Sequence, residues 1–434
     1  MTLVPDLPDR LKDLIVRHGV PGAAVAIGFD GQLAEAAAGV LNVDTAVEST
    51  SDSLFQIGSV TKVFTAALVH QLVDDGLVDL DAPIQTYLPG FRVGEPITTR
   101  HLLCHSGGFT GDLFDDTGRG DDALDRYLER VDRAPQVYPP GELFSYCNSG
   151  YGVLGALAAR LRSGTWESVL RERLLTPLGI THAALFAEEA VLFRTSAGHL
   201  EGAVARPWGL PRANAPAGAT MCASPRELVR FGQALLGGGG PVLSKESTEA
   251  LRTKHIDVPG DGVATGWSLG CILFDWGTPV FGHDGDTIGQ CAYWRMVPEH
   301  GLVIAACANT DAGALFTELA TAVAAELAGL RVTPRSTPPA TPLIMPLDGL
   351  AGRYEGPLAA YEVTADTAGL DVRLVPSGTG LALGMTGRTE RFVPLKAPDT
   401  FISAEKVGSV HQVIAFVDGG RFLHNSRAIP RADG

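Results

Sequence analysis

The sequence predicts an α+β protein: an antiparallel sheet covered by helices, a helical region inserted between its early and late strands, and a small all-β unit behind it. Three observations carry this expectation. Apolar strand patterns cluster at residues 22–39 and again at 266–309, with helix and loop patterns between them. The stretch from Arg331 to Pro346 holds five prolines and reads as a stiff, extended linker. Beyond it come only short strands and turns, as in a small β-barrel or sandwich. The expected division is therefore residues 1–330, a linker at 331–346 and residues 347–434.

Each element follows from local pattern. Between Asp6 and His18, Leu7, Leu11, Leu14 and Ile15 fall on one side of a helix. GAAVAIGF (Gly22 to Phe29) reads as a buried strand, with Gln32 to Gly39 returning as its hairpin partner across Asp30-Gly31. A long helical stretch runs from Ser59 to about Asp75 and stops at Gly76. From Asp81 to about Gly260 the pattern is helix and loop. Helices are expected at Thr98 to His105, Asp121 to Asp132, Ser149 to Leu161, Thr165 to Leu174 and Ser224 to Leu236. Ser224-Pro225 places a capping residue and a proline at a helix start. WSLGCILF, TPVFGH, CAYWRMV and GLVIAAC then read as successive antiparallel strands, and Asp311 to Leu330 as an apolar amphipathic helix.

The chain has 434 residues, 45% of them hydrophobic, which allows a large buried core. Its formal charge of −15 repels phosphate backbones, so nucleic acid is not an expected partner. Residues 1–20 are interrupted by Asp6, Asp9 and Asp13 and lack a basic region followed by an apolar one, so no signal peptide is expected. No apolar run reaches the roughly 18 residues of a membrane span. The six cysteines (Cys104, Cys147, Cys222, Cys271, Cys291, Cys307) lie far apart with no CxxC, as expected of reduced, buried thiols in the cytoplasm.

Three motifs carry chemistry. In GSVTK, Ser59 opens a helix, where its own N–H is free and the dipole favours negative charge. Lys62 stands three residues on and faces the same side. A lysine held near a serine in a partly dry pocket can lose its proton and take that of the hydroxyl. The plain alternative is a capping serine with a solvated lysine. In PPGELFSYCNSGYGVLG, Tyr146 and Asn148 sit on an irregular segment just before a helix. A tyrosine hydroxyl near a lysine can shuttle a proton, and an asparagine amide can orient lysine and substrate carbonyl. The alternative is a core tyrosine and a helix-capping asparagine. In FGHDGDTIG, His283, Asp284 and Gly285 fall at a strand end, where Gly285 would admit a substrate backbone. The N–H of Asp286, with that of Ser59, could form an oxyanion hole. Taken alone, this motif is also an ordinary glycine-rich turn.

The ordered set SxxK, YxN and HxG resembles the serine β-lactamase and D,D-peptidase superfamily, in particular its class C β-lactamase-like branch. The similarity runs over about residues 8–328 and includes LFQIGSVTKVFTA and LLCHSGGF. It implies a sheet sandwiched by helices beside an all-helical region, followed by a lipocalin-like barrel. It also implies roles: Ser59 as acylated nucleophile, Lys62 as its proton acceptor, Tyr146 in proton transfer and Asn148 in positioning substrate. His283 stands where the usual KTG triplet has its lysine, and Asp286 supplies the second oxyanion amide. A histidine lacks the permanent charge that suits the carboxylate of a β-lactam. Ester, amide or thioester acyl transfer is therefore expected in preference to antibiotic hydrolysis.

Other signals are set aside. His101, Cys104 and His105 could form a metal face, but no partner carboxylate is evident, and no metal or organic cofactor is expected. Cys147 lacks a paired base and reads as a packed thiol. No GxSxG elbow or P-loop is present. Arg427 and Arg431 could catch a substrate carboxylate, though solvated surface arginines are the simpler reading. The expected partner is a peptide or small acyl substrate, either free or presented on a carrier protein, with no membrane involved. The function expected is acyl transfer through an acyl-enzyme, leaning narrowly to a thioesterase that releases or cyclises nonribosomal peptides. A D-aminopeptidase or carboxylesterase is the alternative, and a non-catalytic acyl-binding sensor the alternative from another class.

Overall fold

The strand clusters at the two ends of the first 310 residues do meet in one sheet. In the computed structural model, which describes residues 3–94, 96–260, 262–341, 343–344, 347, 349–395 and 399–432, eight antiparallel strands lie side by side. Their spatial order is Val47–Glu48, Gln32–Asn42, Gly22–Phe29, Leu302–Ala308, Cys291–Val297, Pro279–Asp286, Ile272–Asp275 and Ala264–Trp267. The seam between early and late strands pairs Ala23 with Ala308 and Ile27 with Ile304. Asp30 and Gly31 turn the first hairpin in left-handed conformation, at φ 48° and 71°.

The central strands read as continuous apolar runs because both faces are covered. Every residue of Cys291–Val297 and Leu302–Ala308 is buried. One face packs against the helices Leu7–His18 and Gly313–Ala328, the first of which contributes Leu7, Leu11, Leu14 and Ile15. The other packs against the helix Pro225–Leu236 and the helical region, whose centre is Thr61–Asp74. The latter helix is buried at every position from Thr61 to Leu72, so it shows no amphipathic stripe.

Several local expectations are corrected. WSLGCILF is two strands, not one. Gly270, at φ 140°, and Ser268, whose Oγ accepts from Cys271 N at 2.9 Å, fold it into a buried turn. Ser59 lies in a 3-10 turn, Gly58–Val60, ahead of the α-helix. The helix after Thr165 becomes a π turn at Arg171–Leu175. Ser224 makes no side-chain cap, and the cap before Asn148 is the Cys147 Sγ, which accepts from Gly150 N at 3.3 Å. The helical region also contains a small three-stranded sheet, in which Phe55–Gln56 pairs with Cys222–Ala223.

Arg331–Thr341 carries neither helix nor strand, while Pro342, Met345 and Pro346 of the expected linker lie outside the described residues. The C-terminal unit is a barrel and not a sandwich. Its eight strands, from Gly352–Glu355 to Ala428–Pro430, follow one another in order, and a bridge from Tyr354 to Arg431 brings the edges together. Side chains such as Val363, Leu370, Phe392, Phe401 and Phe416 fill its interior.

The barrel docks on the helical region. Tyr138 and Phe422 meet edge to face at 5.7 Å. His424 Nε2 lies 3.0 Å from the Phe144 carbonyl oxygen, and Ser145 Oγ accepts from Ala428 N at 3.1 Å. No helix among the described residues is long and apolar enough to cross a membrane.

Candidate active site

The fold brings all three motifs to one cleft of about 460 Å³, whose lining includes Ser59, Tyr146, Asn148, His283, Asp286 and Trp267. Ser59 is set by its 3-10 turn, which is clamped between glycines. A methyl group on Gly58 would sit 2.7 Å from Asp286 N, and one on Gly218 would sit 2.9 Å from Ser59 N. Gly58 is left-handed at φ 51° and Gly218 at 117°. The turn carrying Ser59 is thereby packed directly against the backbone of Asp286.

Gly285 serves a different purpose from the one expected. A methyl group there would lie 2.0 Å from the Ile57 carbonyl oxygen. The space is taken by the turn that carries Ser59, not left for substrate.

Lys62 Nζ stands 3.0 Å from Ser59 Oγ and donates to the Ala217 carbonyl oxygen at 2.5 Å. The side chain is fully buried, with Nζ 4.8 Å from the centre of the Tyr146 ring. Burial pushes its pKa down to about 7; Asp112 pulls it back up and Arg427 pushes it further down. Near neutral pH the amine can therefore be uncharged and accept the serine proton. The solvated-lysine alternative does not survive this placement.

Burial raises the Tyr146 phenol well above its ordinary range, with Ser59 drawing it back. Its hydroxyl is buried and interacts with Ser59, which suits it to relay a proton. The ring is held by His105 at 4.4 Å and by Trp267 at 5.6 Å. His105 Nδ1 accepts from Cys147 N at 3.0 Å, which leaves the proton of the neutral ring on Nε2. Burial drives His105 well below the usual imidazole range.

His283 is also buried and neutral: burial, then Lys62, push its pKa down to about 3. Its Nδ1 lies 2.5 Å from the Asp284 carbonyl oxygen. A carbonyl only accepts, so Nδ1 holds the proton and Nε2 offers a lone pair. Asp284 pairs with Arg295 at 2.8 Å, and Arg295 is stacked on Phe274 and Tyr293. Asp286, an exposed side chain at the mouth of the cleft, is raised to about 6 by desolvation and then by Asp284.

Asn148 Nδ2 donates to Asp112 Oδ1 at 2.5 Å. Asp112 in turn accepts from Arg427 Nε at 2.6 Å. Sequence reading missed this pair. Arg427 is not a solvated arginine: the barrel turn Asn425–Arg427 enters the cleft, Tyr146 N donates to the Ser426 carbonyl oxygen at 2.8 Å, and the guanidinium lies 5.0 Å from the Tyr146 ring centre. Nothing local in the sequence joins residues 315 positions apart. Arg431 does not reach the cleft; its Nη1 donates to the Gly349 carbonyl oxygen at 2.5 Å.

The signals set aside have other uses. His101 caps Thr98 N at 3.3 Å. Cys147 is buried, and burial pushes its thiol up to about 12, which makes it a poor nucleophile.

The Beta-lactamase family model matches residues 7–328. Penicillin-binding protein 4 of Amycolatopsis lactamdurans is 40% identical over 367 residues, covering 80% of this chain and 96% of that protein. The crystal structure of SurE with D-Leu is 28% identical, with a TM-score of 0.79 and 98% of each chain covered. The D-amino acid amidase from Ochrobactrum anthropi SV3, at 24% identity and a TM-score of 0.62, shares the fold over 71% of this chain and 92% of its own. Given the matched span and these relatives, the chain belongs to the Beta-lactamase family and is a serine hydrolase or acyltransferase.

Proposed function

We propose that the enzyme takes up the acyl group of a peptidyl ester or thioester on Ser59 and passes it to an amine, closing or extending the peptide. Ser59 Oγ attacks the carbonyl while Lys62 takes its proton, and the oxyanion sits between the amides of Ser59 and Asp286. Tyr146 relays the proton to the leaving group as its bond to the carbonyl carbon breaks. In the second half the amine attacks the ester, the carbon–Oγ bond breaks, and the proton returns to the serine. Asn148 positions the carbonyl. The step needs no cofactor.

The observation that carries the peptidyl reading is the barrel turn Asn425–Arg427 in the cleft. It supplies a cation from a second unit while His283, at the lysine position, is neutral. The guanidinium is held by Asp112 at 2.6 Å and lines the cleft, so donors for a peptide come from the barrel side and not from residue 283. The likeness to SurE, whose structure holds D-Leu, supports a D-residue at the reacting carbonyl. Six buried, unpaired thiols support a reducing compartment such as the cytoplasm.

Supplying a peptidyl thioester ending in a D-residue tests the reading by product analysis. Cyclic or amide product is expected. Free acid alone would make the protein a D-peptidase or esterase, and a permanent adduct on Ser59 with no turnover would make it an acyl-binding sensor.

A further inference from the structure

A second cavity, of about 390 Å³, opens on the other side of Arg427. Tyr146 and Arg427 line both it and the catalytic cleft, with the guanidinium 5.0 Å from the centre of the Tyr146 ring. Its remaining wall comes from both units of the chain and is mostly apolar: Phe109 and Val137 from the helical region, Leu358, Met385 and Ile429 from the barrel.

Docking does not explain this space. Around it the two units meet closely, through Tyr138 on Phe422 and through the hydrogen bonds at Phe144, Ser145 and Tyr146. Close-packed protein leaves few voids larger than a water molecule. A volume of this size matches a ligand pocket, apolar for the most part with a few polar groups. Its polar lining includes Asp112 and Arg427, the pair that also holds Asn148, together with Thr110, Ser145, Glu355 and Asn425.

We infer that this chamber is a subsite for an apolar side chain of the peptidyl substrate, one that lies beyond the reacting residue and reaches past Arg427. The occupant's chemistry rests on the peptidyl reading above; the binding itself does not require acylation. Burying a leucine-sized side chain there, when it would otherwise face water, strengthens binding by about tenfold or more.

The test uses the full chain and two wall variants, Met385→Trp to fill the chamber and Leu358→Asp to charge it. Neither residue touches the reacting groups. The substrates are 4-nitrophenyl acetate, too short to reach the chamber, and peptidyl thioesters carrying leucine or glycine at each position in turn. Both variants are expected to lower kcat/KM about tenfold or more for the thioester with leucine at one position. The glycine version and the acetate should change by less than about twofold, which also shows that the variants fold. Equal loss on all substrates, or no loss on any, would overturn the inference. Binding of the leucine peptide acid to Ser59→Ala, with and without Met385→Trp, gives a readout free of chemistry. Chamber-dependent binding without turnover would sink the acyl-transfer reading alone. Turnover with binding indifferent to Met385→Trp would sink the subsite alone.

Discussion

At the scale of single residues, the proposed reaction depends on an amine kept uncharged by its surroundings. Burial lowers the pKa of Lys62 to about 7; the Asp112 carboxylate raises it, the Arg427 guanidinium lowers it and the Cys147 thiol raises it. The free amine is the active form, so acylation is expected to rise with pH through about 7 and level off above it. Arg427→Met removes a positive charge that disfavours the ammonium and leaves Asp112 to favour it. The rising limb should therefore move to higher pH. Burst kinetics with an activated ester would show the variant several-fold slower below pH 7 and approaching wild type well above it. An unmoved limb would mean that the guanidinium does not act on Lys62. The Ser59–Lys62 pairing was legible in the sequence because a spacing of three in a helix puts both on one side. The Asp112–Arg427 pair was not, since it exists only once the barrel has docked.

At the scale of elements, the oxyanion turn is held by missing side chains. Gly218 accommodates the Gly58 carbonyl oxygen where a methyl group would come within 2.2 Å. Gly218→Ala should push the turn out of line and lower kcat by about 10²–10³-fold, the usual cost of losing one oxyanion donor. The rest of the fold should be retained, as thermal unfolding and steady-state kinetics can check together. Most elements were readable from periodicity. The failure at WSLGCILF has a physical cause: its turn is buried against the nucleophile helix, where a methyl group on Gly270 would meet Ala66 Cβ at 2.6 Å. A turn inside the core keeps its residues apolar, so composition gives no sign of it. Gly285 was misread for a related reason, because a glycine does not declare whether ligand or backbone fills its space.

At the scale of the molecule, the barrel completes the cleft of another unit. Phe422→Ala removes the ring that seats it on Tyr138, at a cost of up to about 3–5 kcal/mol if the site does not collapse. The amide of Tyr146, which donates to Ser426 across the seam, should then exchange faster with deuterium, while amides of Leu302–Ala308 stay protected. Unchanged exchange at Tyr146 would show that the turn holds without that anchor. A C-terminal barrel was legible as one of two all-β readings of the short strands after the proline-rich stretch, but its functional meaning was not. Docking is decided by surface shape, and no periodicity records it.

The sheet seam also has a temporal consequence. Because Ala23 pairs with Ala308, the early hairpin waits on the ribosome for its neighbour until nearly three hundred further residues have been synthesised. The guanidinium at 427 arrives later still. A nascent chain thus carries its serine and lysine long before the residues that hold and bury the amine, Ala217 among them, are in place, and one terminated ahead of them should stay inert toward the acyl donors of the cell.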